Sequence, residues 1–249
     1  MGRADTDYLK RDCVSLAFRR SPGKEPTIVW CGGFRSDMAG TKAEALHEWA
    51  EDEGRAFLRF DYAGHGESGG DFADGTISSW TADAEAVIGA YAGERPLLVG
   101  SSMGGWIALL LALRRPVSGL VLLAPAPDFT ERLLPSLPSA YRAELEQKGR
   151  VAIPSAYSPD SPTIFTRALI EDGRRNLILN APIAIDAPVR ILHGQADPDV
   201  PWQGSLDLAA RIACPDVHVH LVKDGDHRLS RPADIALLVS TVADMSGRV

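Results

Sequence analysis

Apolar and polar residues alternate along Val14 to Arg20, with Val14, Leu16 and Phe18 on one face, which is the period of a half-exposed strand. Ser21-Pro22-Gly23 turns the chain back, so this stretch reads as an antiparallel edge strand. Thr27 to Cys31 is apolar throughout, as suits a strand covered on both faces, and Ala56–Phe60, Leu97–Gly100, Gly119–Ala124, Val189–His193 and Val217–Val222 add further strands. Between them the apolar spacing becomes helical. Thr41-x-x-Glu44 reads as a capping box for a helix carrying Leu46, Trp49 and Ala50 and ending at Gly54. Ile77, Trp80, Ala84, Val87, Ile88 and Tyr91 form a second helical stripe. Trp106 to Leu113 is apolar on nearly every side, and Gln203–Ile212 and Pro232–Val242 complete the set. Such regular alternation predicts an α/β fold: a mostly parallel central sheet, right-handed crossovers, and helices on both faces. It breaks down over about 126–187, a proline-rich stretch with short helical pieces near 140–147 and 163–171. That stretch is expected to be a small lid inserted into one domain spanning 1–249.

Composition narrows the function. A net charge of -7 argues against a nucleic-acid partner, because a phosphate backbone selects a basic face. The longest apolar run, Trp106 to Leu113, is too short to span a bilayer, and Asp5, Asp7 and Asp12 stand where a signal peptide would need an apolar core. A cytoplasmic chain is therefore expected. Cys13, Cys31 and Cys214 are odd in number and lack metal-ligand spacing, so they read as small core residues, and no metal or organic cofactor is implied.

The candidate chemistry centres on Gly100-Ser101-Ser102-Met103-Gly104, a G-x-S-x-G sequence with a strand pattern before it and a helix pattern after it. A turn this tight holds Ser102 at the strand's C-terminal end with its hydroxyl outward, beside the positive end of a helix. Serine needs a base within reach, and imidazole serves near neutral pH. His227, in the loop after the last strand, is the candidate. His47 lies on a helix, His218 and His220 within a strand and His65 in a glycine loop, while His193 precedes the acid and would brace its turn. Asp197, after the penultimate strand, is placed to orient His227, with Asp199 and Asp128 as competitors and Asp226 read as a turn residue. The backbone N–H groups of Met103 and Phe34 are the candidate oxyanion donors, Gly32 and Gly33 allowing a close approach. Asp61 to Ser68 is expected to support that loop from below. The order Ser, Asp, His is that of the α/β-hydrolase nucleophile elbow.

A resemblance then becomes specific. The elbow with Gly105-Trp106, Arg59-Phe60-Asp61-Tyr62-x-Gly64-x-Gly66-x-Ser68, Gly40-Thr41-Lys42-Ala43, Leu192-His193-Gly194-x-x-Asp197-x-x-Val200-Pro201-Trp202 and Asp226-His227-Arg228 are similar to a branch of the α/β-hydrolase superfamily. The branch is that of mitochondrial palmitoyl-protein thioesterases that also hydrolyse mycophenolic acid acyl-glucuronide. The similarity runs from about Leu16 to the final helix and includes Pro154-Ser155-x-Tyr157-Ser158, while Phe34-Arg35 after the oxyanion glycines departs from it. With no transit segment in view, the chain looks more like a bacterial relative. The resemblance implies a Ser-Asp-His triad of Ser102, Asp197 and His227 acting on acyl esters or thioesters, S-acylated proteins included. Trp106, Tyr157, Phe165 and Trp202, with Phe34, could line an apolar acyl pocket, and Arg35, Arg174 or Arg175 could meet a substrate carboxylate. Other triad chemistries on this fold, such as carbon–carbon bond hydrolysis, peptide hydrolysis or cofactor-free haloperoxidation, and a binding protein on the same scaffold are the alternatives.

Overall fold

The computed structural model describes residues 5–154 and 162–247. Ten strands and eight α-helices follow one another in the described residues. In chain order they are β1 (Asp7–Arg11), β2 (Val14–Ser21), β3 (Lys24–Cys31), α1 (Thr41–Asp52), β4 (Arg55–Phe60), α2 (Ile77–Tyr91), β5 (Leu97–Ser101), α3 (Met103–Ala112) and β6 (Gly119–Leu123). Then come α4 (Phe129–Ser136), α5 (Ser139–Lys148), β7 (Arg150–Ile153), β8 (Thr163–Thr166), α6 (Arg167–Arg175), β9 (Val189–Gly194), α7 (Gln203–Arg211), β10 (Val217–Val222) and α8 (Pro232–Ser246). Eight strands form one sheet in the order β1-β2-β4-β3-β5-β6-β9-β10. β1 and β2 pair antiparallel, as do β2 and β4, and the remaining neighbours are parallel.

The two faces of the sheet are covered by different helices. Trp80, Ala84 and Ile88 of α2, Trp106 to Leu111 of α3 and Leu208 of α7 share a core with Val29, Leu58, Leu98, Leu120 and Ile191. Ala43, Leu46 and Ala50 of α1 and Leu238, Val242 and Met245 of α8 cover Ile28, Phe57, Val99, Val121 and Leu192 on the opposite side. Along one strand the odd and even positions serve opposite layers, which is why the central strands read as unbroken apolar runs. α3 lies deepest: its residues from Met103 through Leu111 are all buried. Burying one large apolar side chain is worth about 1.5–3 kcal/mol, so this helix contributes more to the layer than an amphipathic one of equal length.

Several expectations need correction. Val14–Arg20 is antiparallel but not at the edge, because β1 pairs outside it; Asp7-Tyr8-Leu9-Lys10-Arg11 is too polar and too exposed to announce itself as a strand. Thr41 does not cap α1. Gly40 occupies that position without any side-chain cap, and Thr41 is the first helical residue. Cys31 and Cys214 are buried, but Cys13 is exposed in the turn between β1 and β2.

The segment between β6 and β9 holds more structure than its prolines suggest. α4 contains Pro135, which hides its period, and Thr163–Thr166 is a strand paired with β7, so the helix expected from residue 163 begins at Arg167, capped by the Thr166 hydroxyl. Buried polar contacts fasten this segment to the rest. The Asp172 carboxylate accepts the Ser78 N–H at 2.7 Å, the Asn176 amide donates to the Ser78 hydroxyl at 2.8 Å, and the Trp106 indole donates to the Asn176 carbonyl at 3.1 Å. Asp128 accepts the N–H groups of Ile178 and Leu179 at 3.0 and 2.9 Å.

Asp172 therefore holds α6 to the first turn of α2, where a carboxylate also meets the helix dipole favourably. Replacing it with Ala leaves buried donors unpaired and is expected to cost about 2–3 kcal/mol in urea unfolding. Glu171→Ala, on the exposed side of the same turn, should stay within about 0.5 kcal/mol of wild type. Equal unfolding midpoints for the two variants would refute the anchor.

Candidate active site

The centre of the site is set by backbone geometry between β5 and α3. Ser102 sits at φ 55 and ψ -118, a conformation that side-chain-bearing residues avoid at a cost of about 1–3 kcal/mol. The turn persists because its surroundings fix it. Ser102 donates its N–H to the Leu123 carbonyl at 2.9 Å, and its own carbonyl accepts from Gly105 at 2.9 Å and Ala126 at 3.1 Å. Its two motif glycines are required by space: a Cβ on Gly100 would lie 2.5 Å from the Gly104 carbonyl oxygen, and one on Gly104 would lie 2.1 Å from that of Cys31. Although Ser102 occupies the N-cap position of α3, its hydroxyl caps nothing in the helix.

That hydroxyl points instead at His227. The Ser102 Oγ is 3.0 Å from His227 Nε2, and His227 Nδ1 is 2.7 Å from Asp197 Oδ2. The two loops that carry His227 and Asp197 leave neighbouring parallel strands, β10 and β9, and are bonded to each other. Ala196 donates to the Gly225 carbonyl at 2.9 Å, and a Cβ on Gly194 would fall 2.1 Å from that same oxygen. Asp226 is a turn residue, as its sequence context suggests: its carboxylate accepts the N–H groups of Arg228 and Leu229 at 3.1 and 3.0 Å. The Lys42 ammonium, from the first turn of α1, donates to the Arg228 carbonyl from the other side.

Asp197 is the hub of this arrangement. Its side chain is fully buried, whereas His227 is 17% exposed. Oδ1 accepts the N–H groups of Asp199 and Val200 at 2.8 and 2.9 Å, and Oδ2 receives His193 at 3.1 Å in addition to His227. Burial alone would push this carboxyl up, but the hydrogen bonds from His193, His227 and Val200 outweigh it and hold it well below the usual carboxylate range. The tautomers follow. His227 Nδ1 faces a carboxylate and must carry the proton, which leaves Nε2 as a bare acceptor aimed at the serine. His193 Nε2 faces both Asp197 and the Val200 carbonyl at 3.1 Å, so it is protonated too, and its Nδ1 accepts from the Ser205 hydroxyl at 2.7 Å.

The competing candidates are occupied elsewhere. Asp128 spends its carboxylate on Ile178 and Leu179, and Asp199 is exposed. His47 is packed on Phe57, and burial, with Arg59 and Arg19 adding to it, pushes it down to about 4. His218 is solvent-facing on β10. Among the described residues, Asp197, Asp199 and His227 are the one group of three or more whose metal-capable atoms lie within 4.8 Å of one another, and Asp197 and His227 already bond to each other.

The loop after β3 lies against the serine. A Cβ on Gly33 would sit 3.2 Å from the Ser101 carbonyl and 3.4 Å from the Ser102 Cβ. Among the described residues, neither the Phe34 nor the Met103 N–H has a backbone acceptor, although the flanking Ser36 and Gly105 amides do. Two unspent donors beside a hydroxyl can hold a negatively charged oxygen. Asp61 and Arg59 grip the far end of this loop: Asp61 accepts the Met38 N–H at 2.6 Å and Arg59 donates to the Met38 carbonyl at 2.8 Å.

The remaining candidates divide. Phe34 stacks on Phe165 at 5.3 Å and meets Phe72, Trp80 and Phe129 edge-on, so these two rings border one aromatic cluster. Trp106 is wholly buried and belongs to the core beneath, its indole tied to Asn176. Trp202 is half-buried at the start of α7, and Tyr157 lies outside the described residues. Arg174 and Arg175 are paired with Glu131 and Asp172, and Arg35 lies over the Phe72 ring and donates to the Pro162 carbonyl. His193 braces the turn of the acid as its place in the sequence suggests, bonding the Val200 carbonyl, and it is also a second partner of Asp197, a contact signalled by their four-residue spacing.

Known proteins resemble the chain over nearly its whole length. Residues 28–236 match the model of the alpha/beta hydrolase family. The chain is 39% identical over 246 residues to the mitochondrial palmitoyl-protein thioesterase ABHD10 of Mus musculus, covering 98% of this chain and 83% of that protein. It is 28% identical to a monoacylglycerol lipase of Mycolicibacterium smegmatis, covering 89% of each. A crystal structure of a protein from Agrobacterium vitis S4 superposes with a TM-score of 0.93 at 46% identity, covering 98% of this chain and all of that one. Mouse alpha/beta hydrolase domain-containing protein 10 superposes with a TM-score of 0.91 at 39% identity over 98% of this chain and 99% of its own. The chain belongs to the alpha/beta hydrolase family.

Proposed function

We propose that this protein is a serine hydrolase that cleaves acyl esters and thioesters through an acyl-enzyme. The observation that carries the reading is the hydrogen-bonded series from Ser102 through His227 to Asp197, at 3.0 and 2.7 Å. Ser102 Oγ attacks the acyl carbonyl carbon as His227 Nε2 takes its proton, and the carbonyl oxygen becomes negative between the Phe34 and Met103 N–H groups. Collapse breaks the bond to the alcohol or thiol, which leaves with the proton returned by His227. Water, deprotonated by the same imidazole, then releases the acid and restores Ser102. Asp197, ionised and buried, holds His227 in the productive tautomer and stabilises the imidazolium.

The relatives named as a palmitoyl-protein thioesterase and a monoacylglycerol lipase support a long-chain acyl group on sulfur or oxygen. The Phe34 and Phe165 rings supply an apolar boundary for it, and the segment over 126–187 serves as the lid on that side. S-acylated proteins are the macromolecular substrates this reading favours.

Ser102→Ala is expected to lower turnover of p-nitrophenyl and acyl-thioester substrates about a millionfold, and Asp197→Asn about ten-thousandfold, as in other triads. Loss of labelling by a fluorophosphonate in Ser102→Ala, with wild type labelled, should accompany it. Near-wild-type turnover by Ser102→Ala would end the proposal. Asp197 also predicts an acid limit to stability. Its folded pKa lies below the unfolded value of about 4, so its contribution is complete above that pH and declines as pH falls toward the folded value. Urea midpoints at pH 6 and pH 3.5 should therefore converge between wild type and Asp197→Asn at the lower pH; an unchanged gap would contradict it.

A further inference from the structure

The glycine-rich loop after β4 supplies no group to the proposed reaction, yet it places a buried histidine directly beneath the turn that bears Phe34. His65 is 3% exposed, and the rings of Tyr62, Phe72 and Trp80 enclose it edge-on. Its Nδ1 lies 3.2 Å from the Ala63 carbonyl, an acceptor only, so Nδ1 carries the proton. Its Nε2 lies 3.3 Å from the Arg35 backbone nitrogen, a donor only, so Nε2 is bare. The two contacts are satisfied together by one neutral tautomer. Burial pushes His65 down to about 4 against the pull of the Ala63 hydrogen bond, and the Arg35 guanidinium adds to the burial effect, so the ring stays neutral where the enzyme works. The nearby carboxylates do not offset this, since Asp61 is spent on the Met38 and Glu67 amides and Asp83 on Ala63 and Arg11.

Arg35 needs such a partner. Ser36 donates to the Gly33 carbonyl at 3.0 Å, closing a four-residue turn whose third residue is Arg35 at φ 58. That position favours glycine, and a side chain there works against the turn. The alternative turn, with Arg35 at negative φ, rotates the Phe34–Arg35 peptide and takes its N–H away from His65. Gly33 is packed against Ser101 and Ser102, which fixes one end of the turn, so the strain of a changed Phe34–Arg35 peptide falls on Phe34, whose N–H adjoins that fixed end.

We propose that His65 is a positioning residue for the oxyanion site: by accepting the Arg35 N–H, it holds the Gly33–Ser36 turn in the form that presents the Phe34 amide to the reacting oxygen. This rests on the hydrolase reading above, in which Phe34 donates to that oxygen. An oxyanion donor acts mainly in the transition state, so its displacement lowers kcat rather than raising KM.

The test uses the full-length protein and p-nitrophenyl butyrate. His65→Leu should lower kcat about 10- to 100-fold with KM within about threefold, a fraction of the loss on removing a donor outright. His65→Gln, whose carboxamide oxygen can accept the Arg35 N–H, should recover most of it. Arg35→Gly tolerates the positive φ without help, and added to His65→Leu it should restore kcat at least fivefold, although Arg35→Gly alone should gain nothing. If His65→Leu does not fold, His65→Gln against His65→Asn decides: the longer side chain reaches Arg35 and should be at least fivefold faster. Wild-type kcat in His65→Leu, a pure KM effect, no gain from Arg35→Gly in that background, or equal rates for Gln and Asn would overturn the role. Ser102→Ala separates the two readings, because activity surviving in that variant ends both, whereas its loss beside an unaffected His65→Leu ends only this one.

Discussion

The whole site depends on a close approach of backbone to backbone. β5 delivers the chain to Ser102, α3 takes it away, and the angle between them brings Gly100 and Gly104 closer than any larger residues could come. Gly104 in turn lies against the Cys31 carbonyl at the end of β3, so the elbow and the neighbouring strand end form one rigid object. The unfavourable φ at Ser102 is offset by hydrogen bonds to Leu123, Gly105 and Ala126, which belong to β6, α3 and the chain just beyond β6. A strained serine supported at three points keeps its hydroxyl directed without needing a cap or a packed side chain.

Around that fixed point the polar groups are organised by acceptor capacity. The Asp197 carboxylate takes four donors, two from its own loop and two from histidines. Such saturation is what allows a charge to remain buried, and it also dictates that both imidazoles present protonated nitrogens to it. His65 uses the complementary logic on the other side of the serine, offering a bare nitrogen to a backbone donor. Opposite ends of the site are thus set by opposite halves of the same side-chain chemistry.

Much of this was legible in the sequence, for physical reasons. The central strands are covered on both faces and so read as unbroken apolar runs, and the spacing of the elbow glycines records a steric necessity that tolerates few substitutes. The strand ends that bear Asp197 and His227 could be located because parallel sheets gather their loops at one rim. What escaped was governed by tertiary contact. β1 is polar and gains its strand character from pairing with β2, α4 carries a proline, and α1 begins without a side-chain cap. The Arg35 contact of His65 depends on how two loops fold together, and local pattern carries no trace of it, whereas the contact of His193 with Asp197 left its mark in their four-residue spacing.

The contacts made by Asp128, Asp172 and Asn176 have an evolutionary corollary. They tether the stretch between β6 and β9 close to where it leaves the sheet and again shortly before it returns, so the excursion between the tethers transmits little of its own sequence to the layers beneath. Descendants of this chain can lengthen, shorten or rewrite that excursion while the chemistry below is inherited intact. Diversification in what the protein accepts is thereby uncoupled from the preservation of how it reacts.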